Sequence, residues 1–336
     1  MAATMLITST AGVVVNAAPA MAAVNNNAGF IQVYVNNIEN LETADAANCP
    51  GDWRDLIYYM KTQEYSPDLF IVQQLAGPGE MKTLTDLMTA ELAGVYKGML
   101  TENDPAPMNS PCGNEKAKQT NAIIYREGRF DIRSARTVFQ SYKKVDGACV
   151  WNTQARSKNL VLQMHDQVAN KDVVVGSIHW PTATHDVPEP ANGVPGCAGA
   201  NATLTAQKMA THSGSLYIVG GDANAPDRTG GDWTGWYNAM RGNHGYADAA
   251  YDDCSERHST QAAIRSCALH EHWTIGSGSR RIDYLFAKRP NGVASTGAEH
   301  TITFNEGDAA DKKYTGSDNA DLSYSDHRAI RARVHY

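Results

Sequence analysis

The chain has 336 residues, 42% hydrophobic and 19% charged, enough to bury a substantial core and unlike a disordered composition. A formal net charge of −7 argues against a protein that coats nucleic acid by neutralising phosphates. It leaves open an enzyme that meets phosphate through a bound cation and a few local Arg or Lys side chains.

From the N-terminus, Met5 to Ala23 is uncharged, apolar and rich in small residues, and the first charged residue of the chain is Glu39. Ala20-Met21-Ala22 fits the A-x-A pattern that precedes signal cleavage, although no Lys or Arg stands before the run. Thr, Ser, Asn and Pro make the stretch too polar for a membrane span, which needs roughly 20 predominantly apolar residues. The expectation is a signal peptide over 1–22, a domain over 28–336, a secreted monomer and no stable membrane insertion; a disordered Ala-rich leader is the alternative. The six cysteines (Cys49, Cys112, Cys149, Cys197, Cys254, Cys267) include no C-x-x-C pair. In an exported chain they imply three disulfides, with Cys254–Cys267 the favoured pair because both lie in one polar loop region.

Strands are expected at Phe30–Val35, Leu69–Val72, Ala122–Tyr125, Leu160–Met164, Val173–Ile178, Leu216–Val219, Ile282–Ala287 and Ala329–Val334, several of them continuously apolar as in sheets buried on both faces. Helices are expected at Trp53–Thr62, Leu84–Leu92 and Asn201–Ser213. The segments 101–120, 182–200 and 226–280 read as long polar loops, and no internal repeat or dividing linker is visible. The pattern is α+β: a four-layer α/β/β/α sandwich of two packed sheets flanked by helices.

The strand ends carry the chemistry. Val33-Tyr34-Val35-Asn36-Asn37-Ile38-Glu39 closes on an amide and a carboxylate, and Pro67-Asp68-Leu69-Phe70-Ile71-Val72-Gln73-Gln74 closes on two amides. Val175-Gly176-Ser177-Ile178-His179 ends in histidine; Gly220-Gly221-Asp222-Ala223-Asn224 places Asp and Asn on one face of an extended segment. Arg281-Ile282-Asp283-Tyr284 embeds an acid in an apolar strand, and Ser325-Asp326-His327 precedes the last one. A buried acid is costly unless paired or bound to a cation. One such residue is usually a turn or a satisfied hydrogen bond; six polar strand ends converging at one mouth would bind a hard divalent ion through oxygen and supply a base and donors for phosphate.

In order and approximate spacing, from about residue 30 to the C-terminus, these motifs resemble the endonuclease/exonuclease/phosphatase superfamily, the DNase I-like fold. The resemblance implies a metal-dependent phosphodiesterase, with nucleic acid the leading substrate and phospholipid head groups or inositol phosphates the rivals. It implies that Asn37, Glu39, Gln74 and Asp326 hold a divalent metal, Mg²⁺ above Mn²⁺ or Ca²⁺. His179 would contact the scissile phosphate and protonate the leaving oxygen, Asp222 and Asn224 would orient water and phosphate, and Asp283 would hold His327 in the useful tautomer. Arg156 would steer phosphate. The chain departs from the pattern at Gln74, where the family has a metal-binding Glu. Three outcomes stay open: a site rescued by Glu39 and Asp326, a degenerate relative that binds phosphate without turnover, or an inactivating change.

Other chemistries fit less well. No G-x-S-x-G elbow and no P-loop motif occurs. His244, His258, His270 and His272 with Cys254 and Cys267 match no standard zinc spacing. Trp180, Trp233, Trp236 and Tyr237 are candidates either for stacking on bases or for anchoring loops.

Overall fold

The computed structural model describes residues 22–38, 53–108, 117–182, 196–229, 232–275, 280–290, 298–304 and 325–336. In the first half the elements are β1 (Phe30–Asn37), α1 (Trp53–Lys61), β2 (Leu69–Leu75), α2 (Pro78–Glu91), β3 (Val95–Leu100), β4 (Thr120–Glu127), β5 (Phe130–Ile132) and β6 (Thr137–Gln140). A hairpin of β7 (Tyr142–Val145) and β8 (Ala148–Trp151) and a 3-10 turn (Ala155–Ser157) follow. Next come β9 (Lys158–Asp166), β10 (Lys171–His179), α3 (Cys197–Met209), β11 (Leu216–Asp222), β12 (Arg228–Thr229), β13 (Asp232–Trp233) and α4 (Gly235–Asn238). The last group is β14 (Ala247–Asp248), α5 (Ala249–Arg257), α6 (Gln261–His270), β15 (Asp283–Lys288), β16 (Ala298–Phe304) and β17 (Ala329–His335).

Two sheets form the body. One runs β16-β17-β1-β2-β4-β3; the other runs β14-β15-β11-β10-β9-β5, with β6 also on β9. The centre of each has the same plan. A parallel pair, β1 with β2 or β10 with β11, is flanked by antiparallel partners, β17 and β4 or β15 and β9. Parallel neighbours need a crossover, and α1 and α3 lie in these two. The sequence shows no repeat, yet the topology nearly doubles itself.

Alternation sets the layers. Ile31, Val33 and Val35 of β1 and Leu69 and Ile71 of β2 pack against Val173, Val175, Leu216, Ile218 and Leu285 across the intersheet core. Each fully buried aliphatic side chain there contributes about 1.5–3 kcal/mol. The opposite residues, Tyr34, Phe70 and Val72, face α1 and α2 through Leu56, Ile57, Leu84 and Met88. Val174, Val219, Tyr284 and Phe286 face α3 and α4 through Ala202, Met209, Trp236 and Tyr237. This is the expected four-layer α/β/β/α sandwich. At one end Arg129, fully buried between β4 and β5, bonds Asp68 ahead of β2 at 2.8 Å and Asp166 of β9 at 2.9 Å, tying the sheets together.

Several expectations need adjusting. The helix expected at Asn201–Ser213 starts at Cys197, and the one expected at Leu84–Leu92 starts at Pro78, a residue suited to a first helical turn. The segment 226–280, read as loop, holds α4, α5 and α6. Asp248 and Thr260 cap α5 and α6, and Cys254, Ile264, Cys267 and Ala268 form a core too small to leave a periodic signal. Trp180, Trp236 and Tyr237 are buried to within 2% and anchor the second sheet, so stacking on bases is closed to them. Ala22, the last residue of the expected leader, donates its N–H to Lys61 O against the end of α1; residues 1–21 lie outside the described residues. The disulfides found are Cys149–Cys197 and the expected Cys254–Cys267; Cys49 and Cys112 lie outside the described residues. The second bridge and the capped helices replace the imagined zinc cluster.

Candidate active site

The stripes that fill the core end in polar residues at the same edge. On β1 the inward series Ile31, Val33, Val35 continues to Asn37, and on β2 Leu69 and Ile71 continue to Gln73, directly beside Asn37 in register. On β10 Val173 and Val175 lead to Ser177 and His179; on β11 Leu216 and Ile218 lead through Gly220 to Asp222. His179 and Asp283 both pair with Asp222 in the ladder. His327 enters from the first sheet just before β17, whose Ile330 lies opposite Val35. Period-two geometry thus delivers amide, acid and imidazole to one mouth between the sheets.

Close approach and turn geometry refine the placement. A Cβ on Gly220 would meet Val35 Cγ2 at 2.7 Å, and one on Gly221 would meet Ile178 O at 2.0 Å, where φ is also +138°. Only glycine fits directly ahead of Asp222. Asn224 (φ 49°) and Gln74 (φ 68°) adopt the left-handed region, Gln74 where the β2–β4 register shifts between Val72 and Leu75. Left-handed non-glycine residues cluster at functional sites.

Asp222 is the hub. Its Oδ2 accepts from Asn37 Nδ2 at 3.0 Å across the sheet gap and from Asn224 Nδ2 at 3.1 Å, while Oδ1 accepts from the Asn224 N–H at 2.7 Å. The same oxygen lies 3.6 Å from His179 Nε2 and 4.0 Å from His327 Nε2. His327 Nδ1 bonds Asp283 Oδ2 at 2.8 Å, the arrangement in which an acid orients an imidazole. Asp326 is at the rim, its side chain 44% exposed, with Oδ1 3.8 Å from His327 Nε2. Gln74 is buried one residue beyond Gln73. Glu39 lies outside the described residues.

The environments push the titrating groups apart. Burial, with the negative charge of Asp283, raises the Asp222 carboxyl to about 7. Burial drives His179 well below the usual imidazole range, helped by the positive charges of Arg156 and His327. Burial also opposes charge on His327, but the Asp283 carboxylate and its hydrogen bond, then Asp222 and Asp326, hold it well above that range. At neutral pH the site therefore holds one neutral and one charged imidazole around a carboxylate near its midpoint.

The residues also suit a hard cation. Asn37 Oδ1 and Asp283 Oδ1 are buried with no hydrogen-bond partner among the described residues, and Asp222, Asp283 and His327 offer ligand atoms within 4.8 Å of one another. Oxygen-rich sets of this kind fit Mg²⁺, Mn²⁺ or Ca²⁺.

Sequence reasoning missed the supporting residues. Asn121 of β4 donates from Nδ2 to the carbonyls of Arg156 (2.9 Å) and Lys158 (2.7 Å), gripping both ends of the turn that carries Arg156. Asn159 Oδ1 accepts the His179 N–H at 2.9 Å. Thr274 Oγ1 accepts the N–H groups of Ile282 and Asp283. Ser177 accepts from Gln73 at 3.2 Å beneath the mouth.

The architecture is that of the endonuclease/exonuclease/phosphatase superfamily, the DNase I-like fold. No family model and no curated protein matches the sequence. Solved structures do. A superfamily protein of Bacteroides vulgatus superposes with a TM-score of 0.57 at 15% identity, covering 91% of this chain and 98% of that one. A mannosyl-6-phosphatase of Bacteroides thetaiotaomicron gives 0.56 at 17%, covering 91% and 100%. D. rerio TDP2 complexed with a single-strand DNA product gives 0.54 at 14%, covering 91% and 99%.

Proposed function

We propose that this chain is a phosphoric ester hydrolase, metal-dependent, exported, and directed at phosphodiesters of nucleic acid. The observation that carries the reading is Asp222, buried, held by two amides from different sheets, and faced by two imidazoles of opposite protonation state. The fold neighbours that act on phosphate esters or hold a DNA product support the class, and two disulfides suit an oxidising compartment.

In this reading Asn37, Gln74 and Asp326, with Glu39, hold the cation. When bound, it neutralises phosphate charge and favours attack on phosphorus. The chain's own groups do the rest. Arg156 and neutral His179 receive the phosphate oxygens. Asp222, poised near neutrality, takes the proton of the attacking water as the new P–O bond forms in line with the bond that breaks. His327, kept charged by Asp283, gives its proton to the departing oxygen. The charge missing at Gln74 weakens the cation site without removing its oxygen donor.

Hydrolysis of bis-p-nitrophenyl phosphate, plasmid DNA and RNA with Mg²⁺, Mn²⁺ or Ca²⁺ tests the proposal. His327→Ala should lower turnover at least about 10²-fold, the scale of a lost acid–base group, Gln74→Glu should raise it, and chelation should abolish it. A silent parent that gains turnover with Gln74→Glu is a degenerate relative. If neither protein cleaves any of the three, the hydrolase reading fails.

A further inference from the structure

The hairpin of β7 and β8 belongs to neither main sheet, and its place is set by its neighbours. It follows β6, whose Gln140 pairs with Lys158 at the start of β9, and β9 runs antiparallel to β10, with Leu160 beside Ser177. The hairpin therefore leaves the second sheet at the edge where His179 lies. Its base is joined to the site by buried bonds. Asn152 Nδ2 donates to Ser157 Oγ at 2.7 Å, and Asn159, which holds the His179 N–H, donates to Ser141 Oγ at 2.8 Å. Its flank is fixed to α3 by Cys149–Cys197 and by Asn201, which accepts the Tyr142 N–H and donates to Tyr142 O. A projection held at this many points costs little to order on binding.

Its surface differs from the rest of the molecule. Between Arg133 and Lys158 the chain carries six basic residues against one acid, Asp146, although the net charge of the whole is −7. Lys158 is engaged by Glu102, and Arg136 by Leu100 O; Lys143 and Lys144 stand on the hairpin itself. Trp151 is 51% exposed, backed on one face by Tyr142 with ring centroids 3.9 Å apart. Val145 and Val150 are exposed beside it.

Resting on the phosphodiesterase reading above, we propose that this hairpin is a docking arm for a single strand of nucleic acid entering the site. Phosphates lie over Lys143 and Lys144, and a base stacks on Trp151, five residues ahead of the phosphate-facing Arg156. Basic groups interleaved with an open aromatic are how single strands are gripped without sequence preference. The exposed valines would also suit a lipid surface. The tip argues against it, because the turn there is Asp146-Gly147, an acid where an inserting loop carries apolar groups.

The test uses the full chain and a Lys143→Ala/Lys144→Ala/Trp151→Ala variant. Binding of a fluorescein-labelled oligothymidine strand is measured in chelator, and hydrolysis of bis-p-nitrophenyl phosphate in Mg²⁺. The expected result is at least roughly tenfold weaker binding, with the slope of log affinity against log salt shallower by about 1.4 for two lost phosphate contacts, and unchanged turnover of the small ester. Equal binding by a folded variant overturns the proposal. So does vesicle capture of the parent but not the variant by phosphatidylcholine with strand binding unaltered, which would assign the arm to lipid. If the triple variant does not fold, Lys143→Glu/Lys144→Glu repeats the measurement and must weaken binding. A parent that hydrolyses no ester yet binds DNA through the arm would sink the functional reading and leave this one standing.

Discussion

Asp222 owes its behaviour to the residues that crowd it. Its carboxylate accepts three hydrogen bonds, which favour charge, yet burial and Asp283 outweigh them and bring it to about 7. Placing that carboxylate depends on Gly221, whose Cα faces Ile178 O so closely that no side chain fits. Gly221→Ala should cost about 3 kcal/mol or more, from strain at positive φ and backbone displacement. Denaturant unfolding would read the loss, and a midpoint equal to the parent's would refute the close approach. The glycine was legible as part of a G-D-x-N motif; the carbonyl that demands it was not, since Ile178 lies 43 residues earlier in the chain.

At the scale of elements, the turn that carries Arg156 has little structure of its own, and Asn121 supplies it. Asn121→Ala strips two carbonyls of their donor, a cost of about 1–3 kcal/mol. It should lower kcat for a phosphodiester roughly tenfold with KM raised by the loosened phosphate contact. Steady-state kinetics beside a melting curve would check this, and unchanged kinetics would show that Arg156 needs no such support. What the sequence revealed among the elements follows their burial. β1, β2, β10 and β11, covered on both faces, read as apolar runs ending in polar residues. β3 and β16 alternate between buried and exposed residues and lie at a sheet's margin, so they left a weaker trace. α5 and α6 are held by caps and one disulfide rather than by an apolar stripe, and a lone Asn at the head of an apolar strand does not announce a partner 35 residues away.

Across the whole molecule the mouth and the opposite end are held differently. Amides and imidazoles meet at the mouth, whereas the far end is closed by the Arg129 guanidinium between Asp68 and Asp166, with Arg126 also on Asp68. Removing one partner from such a cluster leaves buried charge unmatched. Arg129→Ala should lower stability by about 3–5 kcal/mol while ester turnover at low temperature stays near the parent's, because no site residue touches it. Calorimetry with kinetics on the same preparation would decide, and an unchanged melting temperature would count against the lock. Gln74 and the residues beyond the described segments are where sequence and structure leave the cation's strength to experiment.

One feature of the ladders constrains how such a chain can vary. Because the reactive groups are the last beads on the same inward threads that fill the interior, adding a single amino acid within β1, β10 or β11 would rotate Asn37, His179 or Asp222 toward the helices and bring a neighbour into its seat. Strand length in this architecture is therefore held to an even count from core to rim, and diversification is confined to the connections, where an insertion shifts no parity.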